Sequence, residues 1–315
     1  MATGPSTQAG SIDRVDPALD AIVPAEAKIE KLAGGFAFTE GPIWFKQERY
    51  LLFSDIPGNA IHKWTPDGRV ALFRKPSGYD KNDAPPGAFI GSNGMTLDQQ
   101  TRLIICEHGN HRVTRLEKDG SLTVLADRWE GKRLNSPNDV VQKSNGDFYF
   151  TDPPYGLVKQ DKDPKKELDF NGVFRISNGK LHLLYKGVAR PNGLAFTPDE
   201  KHMYLNNSEP HNKICLRFDV RDDGSLANEK VFFDLTRDSS DGVPDGMKID
   251  QEGNVYSTGP GGVWIFSAEG RHLGTIRPPE VPANLHWGDG DSKTLYITAR
   301  TGLYRIKLSL AGIRP

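Results

Sequence analysis

Short apolar runs recur in pairs along the chain, and each pair is opened by a polar residue that Gly, Asp or Pro usually follows. The first three read Glu40-Gly41-Pro42-Ile43-Trp44 with residues 51–55, Asn93-Gly94-Met95-Thr96-Leu97 with 103–107, and Asn138-Asp139-Val140-Val141 with 148–152. The others are Asn192-Gly193-Leu194-Ala195-Phe196 with 203–205, Asp245-Gly246-Met247-Lys248-Ile249 with 255–258, and Asn284-Leu285-His286-Trp287 with 295–298. Successive starts lie 53, 45, 54, 53 and 39 residues apart, about the length of one propeller blade. Turn chemistry separates the two runs of a pair, as at Asp98-Gln99-Gln100, Ser144-Asn145-Gly146 and Pro198-Asp199-Glu200, so each pair predicts a hairpin.

Further runs at 60–64 and 70–73, 112–116 and 122–125, and 172–176 and 181–185 flank the turns Pro66-Asp67-Gly68, Lys118-Asp119-Gly120 and Ser177-Asn178-Gly179. Two inner and two outer strands make a four-stranded antiparallel blade. With helix-period patterning nearly absent, the six repeats predict an all-β, six-bladed β-propeller. A closed ring has to join its ends. Residues 27–32 and 302–308 both alternate apolar and polar positions, which predicts that an N-terminal strand joins the last blade. Residues 1–25 are polar and irregular and read as a flexible segment ahead of a single domain over 26–315.

Hairpin geometry carries the pattern toward chemistry. If the polar residue opening each repeat starts a strand at one end of the central tunnel, the turn lies at the other end, and the second strand returns. Six oxygen-bearing side chains, Glu40, Asn93, Asn138, Asn192, Asp245 and Asn284, then face one axis. The long connections at 77–91, 153–171 and 236–244 gather at the same end, where loops of such length serve binding or catalysis.

Composition narrows the partner. Formal net charge is −1 across 315 residues with Lys and Arg scattered, so no basic stripe for nucleic acid or anionic lipid stands out. A small, neutral or polar ligand fits better. No apolar run approaches membrane-span length, no signal-like leader opens the chain, and the compartment is open between cytoplasm and export. Cys106 and Cys215 have no metal-binding spacing and read as buried thiols. There is no Gly-x-Ser-x-Gly elbow and no phosphate-binding Gly loop.

Buried carboxylates are costly unless paired or bound to a cation, and no Lys or Arg stands at an equivalent position of the repeats. An all-oxygen set suits a hard divalent ion, Ca²⁺ first, with Mg²⁺, Mn²⁺, Zn²⁺ or Fe²⁺ also admissible. The competing reading is that Asn and Asp merely cap strand starts by bonding backbone amides. It weighs most at Asn93 and Asn284 and least at Glu40, since Glu is a poor turn residue.

Taken together, Glu40-Gly41-Pro42, the 106–113 run Cys-Glu-His-Gly-Asn-His-Arg-Val, Asn135-Ser136-Pro137-Asn138-Asp139, the 150–157 run Phe-Thr-Asp-Pro-Pro-Tyr-Gly-Leu, Arg190-Pro191-Asn192-Gly193 and Pro244-Asp245-Gly246 resemble the gluconolactonase branch of the senescence-marker-protein/gluconolactonase family. The resemblance spans about residues 27–308. It implies a six-bladed propeller that holds one divalent cation and hydrolyses sugar lactones or related esters. It carries Glu40, Asn192 and Asp245 over as metal ligands, with Asn138 as a further ligand or substrate contact. One departure is His286-Trp287 in the last repeat, where relatives have smaller residues; one of the two is expected to face the tunnel and alter the pocket.

The expected reaction is hydrolysis of a sugar lactone, with the cation polarising the carbonyl, Asp245 as base toward water and Glu40 as the second choice. His108, Asn110 and Tyr155 are the expected substrate contacts. Two alternatives stand beside it: aryl-ester or organophosphate hydrolysis on the same cation, and a non-catalytic binding propeller whose cation is structural.

Overall fold

The computed structural model describes residues 9–313, and six antiparallel sheets stand around one axis. The first blade orders Thr39–Phe45, Tyr50–Asp55, Ala60–Trp64 and Val70–Arg74 from the axis outward. Blades two to four repeat the order from Ser92–Leu97, Val140–Gln142 and Pro191–Phe196, and the fifth starts at Met247–Ile249. The sixth comprises Pro282–Gly288, Thr294–Ala299 and Gly302–Lys307, and Glu30–Gly34 pairs antiparallel with Gly302–Lys307 as its outermost strand. Ring closure by an N-terminal strand is therefore as expected. Innermost strands touch their neighbours all the way round, last to first included.

The interior lies between blades. Ile43, Leu52 and Ile61 of the first blade meet Met95, Leu103 and Ile105 of the second, and each interface repeats this face-to-face packing of alternate strand positions. Tyr149, Tyr204, Tyr256 and Tyr296 stand at matching places on the second strands, all buried.

The reading of residues 1–25 as flexible is corrected where the structure describes them; residues 1–8 lie outside the described residues. Ser11–Arg14 adds a fifth strand to the fifth blade against His272–Arg277. Asp16 then caps a short 3₁₀ turn, its Oδ1 accepting from the Ala18 amide at 2.8 Å, and Pro17 supplies the first helical position. Leu19, Ile22 and Val23 enter the core of the last two blades. Burying a side chain like Leu19 is worth about 2 kcal/mol, a contribution toward the cost of ordering this segment. Among the described residues no helix is long and apolar enough to cross a membrane.

Candidate functional site

The residues that open the repeats converge because the inner hairpins are bulged there. The ladder slips between Glu40 and Ile43, between Ser92 and Met95, between Pro191 and Leu194, and between Pro282 and Asn284. A bulge re-aims a side chain that regular pleating would place on a sheet face. In the third and fifth blades the ladder begins only after Asn138 and Asp245.

The glycines after these residues serve more than a turn. A Cβ on Gly41, whose φ is +47°, would lie 1.9 Å from the Asn93 carbonyl oxygen of the next blade, and one on Gly193 would lie 2.1 Å from that of Asp245. Gly94 and Gly193 use the closeness to donate their amides to the Asn138 and Asp245 carbonyls, at 2.7 and 3.1 Å. Neighbouring blades are thus stitched at the tunnel mouth, where rigidity serves a binding site.

At this mouth a cavity of about 280 Å³ is lined by Glu40, Asn93, His108, Asn138, Tyr155, Asn192 and Asp245. The three long connections add to the wall, with Phe89 from the first, Tyr155 and Gln160 from the second and Val243 from the third, beside Phe38 and Ile56. Asn110 is not among these residues. Its amide nitrogen donates to Glu107 at 2.6 Å and its oxygen accepts from the Asp80 amide, so it braces a loop. Expected as a substrate contact, Asn110 has both of its side-chain groups engaged by Glu107 and Asp80 instead.

Hydrogen bonds dictate which oxygens look inward. His108 is fully buried, with Nδ1 3.3 Å from the Phe89 carbonyl and Nε2 3.1 Å from the Asn93 amide nitrogen. The carbonyl requires a proton on Nδ1, so Nε2 accepts from Asn93, and the Asn93 Oδ1 is left buried without a protein partner. Burial pushes the His108 imidazole down to about 3, keeping it neutral in this role. Asn192 follows the same logic: its amide donates to the Ser208 hydroxyl at 2.8 Å, and its Oδ1 is equally unpartnered. Asn284 differs. Its oxygen accepts from the Leu285 amide and its nitrogen donates to Glu40, so at this position capping is what the structure shows.

Glu40 uses Oε2 for the Gly41 amide at 2.6 Å and for Asn284 at 2.9 Å, which leaves Oε1 uncommitted. Burial, with the charge of Asp139 beside it, pushes its carboxyl up to about 7. Asp245 rises well above the usual carboxylate range through burial and then through Glu40 and Asp139, and only the Asn192 side chain steadies its anion. Three carboxylates crowd one tunnel. Against them stands Lys248, buried, whose Nζ has one protein acceptor, the Met247 carbonyl at 3.0 Å. Burial lowers its basicity, while Asp139 and Glu40 oppose that.

No Lys or Arg occupies an equivalent position of the repeats, but the sequence reading missed Lys248, a buried counter-charge, and Asp139, a third acid. Lys248 alternates with Met247 and Ile249, which pack between blades, and that alternation along the inner strand was the available signal. His286 and Trp287 correct the expected change of pocket. Trp287 packs between the last two blades with its indole N–H on the Ile249 carbonyl, and His286 faces the tunnel near the opposite mouth, away from this cavity.

A divalent cation fits this donor set. Unpartnered Asn93 and Asn192 oxygens, the free oxygen of Glu40 and the carboxylate of Asp245 share one cavity, and one lysine does not balance three acids. Among the described residues no group of three His, Cys, Asp or Glu is arranged as a metal site; the set is two carboxylates completed by amides.

Comparison with known proteins agrees with this architecture. The family model described as SMP-30/Gluconolactonase/LRE-like region matches residues 38–301. A gluconolactonase of Zymomonas mobilis subsp. mobilis is 37% identical over 313 residues, covering 96% of this chain and 87% of that protein. A pentonolactonase of Haloferax volcanii is 26% identical over 272 residues, covering 84% and 81%. Among solved structures, a gluconolactonase of Xanthomonas campestris superposes with a TM-score of 0.84 at 32% identity, covering 98% of each chain.

Proposed function

The chain belongs to the SMP-30/gluconolactonase/LRE-like family, and from that premise we propose that it hydrolyses a sugar lactone at the ring mouth of its tunnel with one divalent cation, Ca²⁺ first among the candidates. Glu40, Asn192 and Asp245 would hold the ion, with Asn138 as a further ligand or a substrate contact, and Asn93 joins the set through its freed oxygen. The single observation carrying the proposal is the convergence of uncommitted carboxylate and amide oxygens on one cavity. When bound, the ion supplies positive charge that polarises the lactone carbonyl and lets the crowded carboxylates ionise.

The chain's own residues account for the remainder. Asp245, almost free of protein hydrogen bonds, accepts a proton from water as the water oxygen adds to the carbonyl carbon. The ring C–O bond then breaks, its oxygen takes up that proton, and the product is the open hydroxy acid. Glu40 is the second choice for the base. Tyr155 is kept protonated by burial and by the nearby Asp245, so its hydroxyl is a donor to sugar oxygens. Phe38, Ile56, Phe89 and Val243 form an apolar rim that sheds water and packs on C–H faces of the sugar. His108 acts through Asn93, with both ring nitrogens already engaged.

The experiment is acid release from D-glucono-1,5-lactone above the spontaneous rate. Chelator-stripped protein is supplied in turn with Ca²⁺, Mg²⁺, Mn²⁺, Zn²⁺ or Fe²⁺. Activity lost on stripping and restored by one ion supports the reading and ranks the metals; folded protein inactive with every ion overturns it.

A further inference from the structure

The tunnel has a second mouth, and it too is built as a binding site. Here the inner hairpin turns enclose a cavity of about 360 Å³, lined by Trp44, Gln47, Thr96, Gln99, Gln142 and His286 among others. Its wall is braced. The Gln99 amide donates to the Ser144 carbonyl at 2.9 Å, and Glu200 of the fourth blade accepts from the Ser144 amide at 2.7 Å and from Lys143 at 2.9 Å. Three blades are thereby tied together around a space of monosaccharide size.

The floor holds polar groups with no protein partner. His286 is 6% exposed, and its Nδ1 lies 2.6 Å from the Trp287 carbonyl, which requires the proton on that nitrogen. Its Nε2 is therefore an acceptor, and it is buried and unpartnered. The hydroxyl of Thr96 and the indole N–H of Trp44, both of residues lining this cavity, are unpartnered as well. An acceptor, a group of either kind and a donor thus belong to residues around one space, where leaving buried polar groups unmade is costly.

Charge decides the ligand class. Asp98 is paired with Arg102 of its own turn at 2.7 Å and Glu200 with Lys143 of the neighbouring blade, so these acids of the wall are compensated by nearby bases. Lys46 and Glu48, of opposite sign, remain at the exposed rim. Nothing selects an anion or a cation. Gln47, Gln99 and Gln142 contribute neutral amides, and Ile43, Phe45 and Leu97 an apolar side. We propose that this mouth is a second, non-hydrolytic binding site for a neutral polyhydroxylated molecule of monosaccharide size, held by His286, Thr96 and the glutamine amides. Such a molecule presents hydroxyls that donate and accept in turn, and C–H faces that pack on the apolar side.

The test uses D-glucose, which has no lactone bond and is not turned over; binding at the ring mouth is told apart from binding at this mouth by a ring-mouth variant. Binding to the full chain is followed by titration calorimetry and by saturation-transfer NMR, with affinity expected in the millimolar range. Asn138→Ala at the ring mouth should leave binding intact, whereas His286→Phe should weaken it at least about tenfold, the size of one or two lost hydrogen bonds. Gln47→Ala alters an exposed position that does not threaten the fold and should weaken binding by several-fold. The proposal fails if D-glucose does not bind, if Asn138→Ala abolishes binding, or if neither opposite-mouth variant changes it.

Discussion

The side-chain amide of Asn284 donates to Glu40 across 2.9 Å, joining the last blade to the first at the tunnel mouth. The contact spends one oxygen of Glu40 and spares the other for the cavity. It also places a neutral donor where a second carboxylate would repel.

Asn284→Leu keeps the volume and removes that donor. A buried carboxylate loses a partner, so stability should fall by about 2 kcal/mol. Urea unfolding of the chelator-treated protein measures this as a shift in midpoint at constant slope; an unchanged midpoint would mean that the pair contributes nothing to holding the ring.

His108→Phe fills the same space and frees the Asn93 amide. The fold should survive, while affinity for Ca²⁺ should drop by about tenfold, as expected when a residue orienting a ligand is lost. Calorimetric titration of stripped protein with Ca²⁺ decides the matter, because a histidine that only packs would leave affinity alone.

Lys248→Met removes the buried ammonium beside Asp139 and Glu40. Two opposite effects are expected. Metal-free protein should lose about 3 kcal/mol, since the acids lose their counter-charge, yet Ca²⁺ should bind about tenfold more tightly. Equal affinity in the two proteins would place Lys248 outside the field of the ring.

Gly41→Ala forces a Cβ to within 1.9 Å of a carbonyl oxygen at a left-handed φ, and the loss should exceed about 3 kcal/mol or prevent folding. Gly290→Ala is the control. A Cβ there meets nothing within 4 Å, and its change should stay within about 1 kcal/mol. Thermal melts of the two variants side by side suffice, and similar losses would refute the close-approach account.

Glu280 carries the pH prediction. It accepts from the Thr301 hydroxyl at 2.6 Å, from the Tyr304 hydroxyl at 2.6 Å, from Lys31 on the closing strand at 3.0 Å and from the Thr301 amide at 2.8 Å. Burial alone would raise its carboxyl, but these bonds, led by Thr301, hold it down at about 2 against an ordinary value of 4.5. A depressed acid contributes stability that is complete above the unfolded value and is lost as pH falls through the folded one. Glu280→Gln should therefore cost about 2 kcal/mol, after allowance for partial exposure, at every pH above about 5. The gap to the parent should close as pH drops from 4.5 toward 2; a gap constant down to pH 3 would assign the loss to packing.

What the linear chain determined was periodic. Alternation set the strands, Asn-Gly and Asp-Gly chemistry set the turns, and the spacing of Glu40, Asn93, Asn138, Asn192, Asp245 and Asn284 set six equivalent positions at one end of a tunnel, because strand and turn geometry are local properties. The closing strand at 30–34 was legible for the same reason, and the earlier one at 11–14 was not, since Ile12 is its one apolar residue and it pairs only once the fifth blade exists. Tertiary structure alone decided which oxygens are free. Asn93 and Asn284 look alike in sequence, yet His108 turns the first toward the cavity and Glu40 claims the second. Likewise only the assembled ring brings Lys248 beneath its acids, gives Gly41 a neighbour's carbonyl to avoid and leaves His286 facing the far mouth. Hydrogen-bond commitment and burial depend on partners from other blades, and that information does not reside in any single repeat.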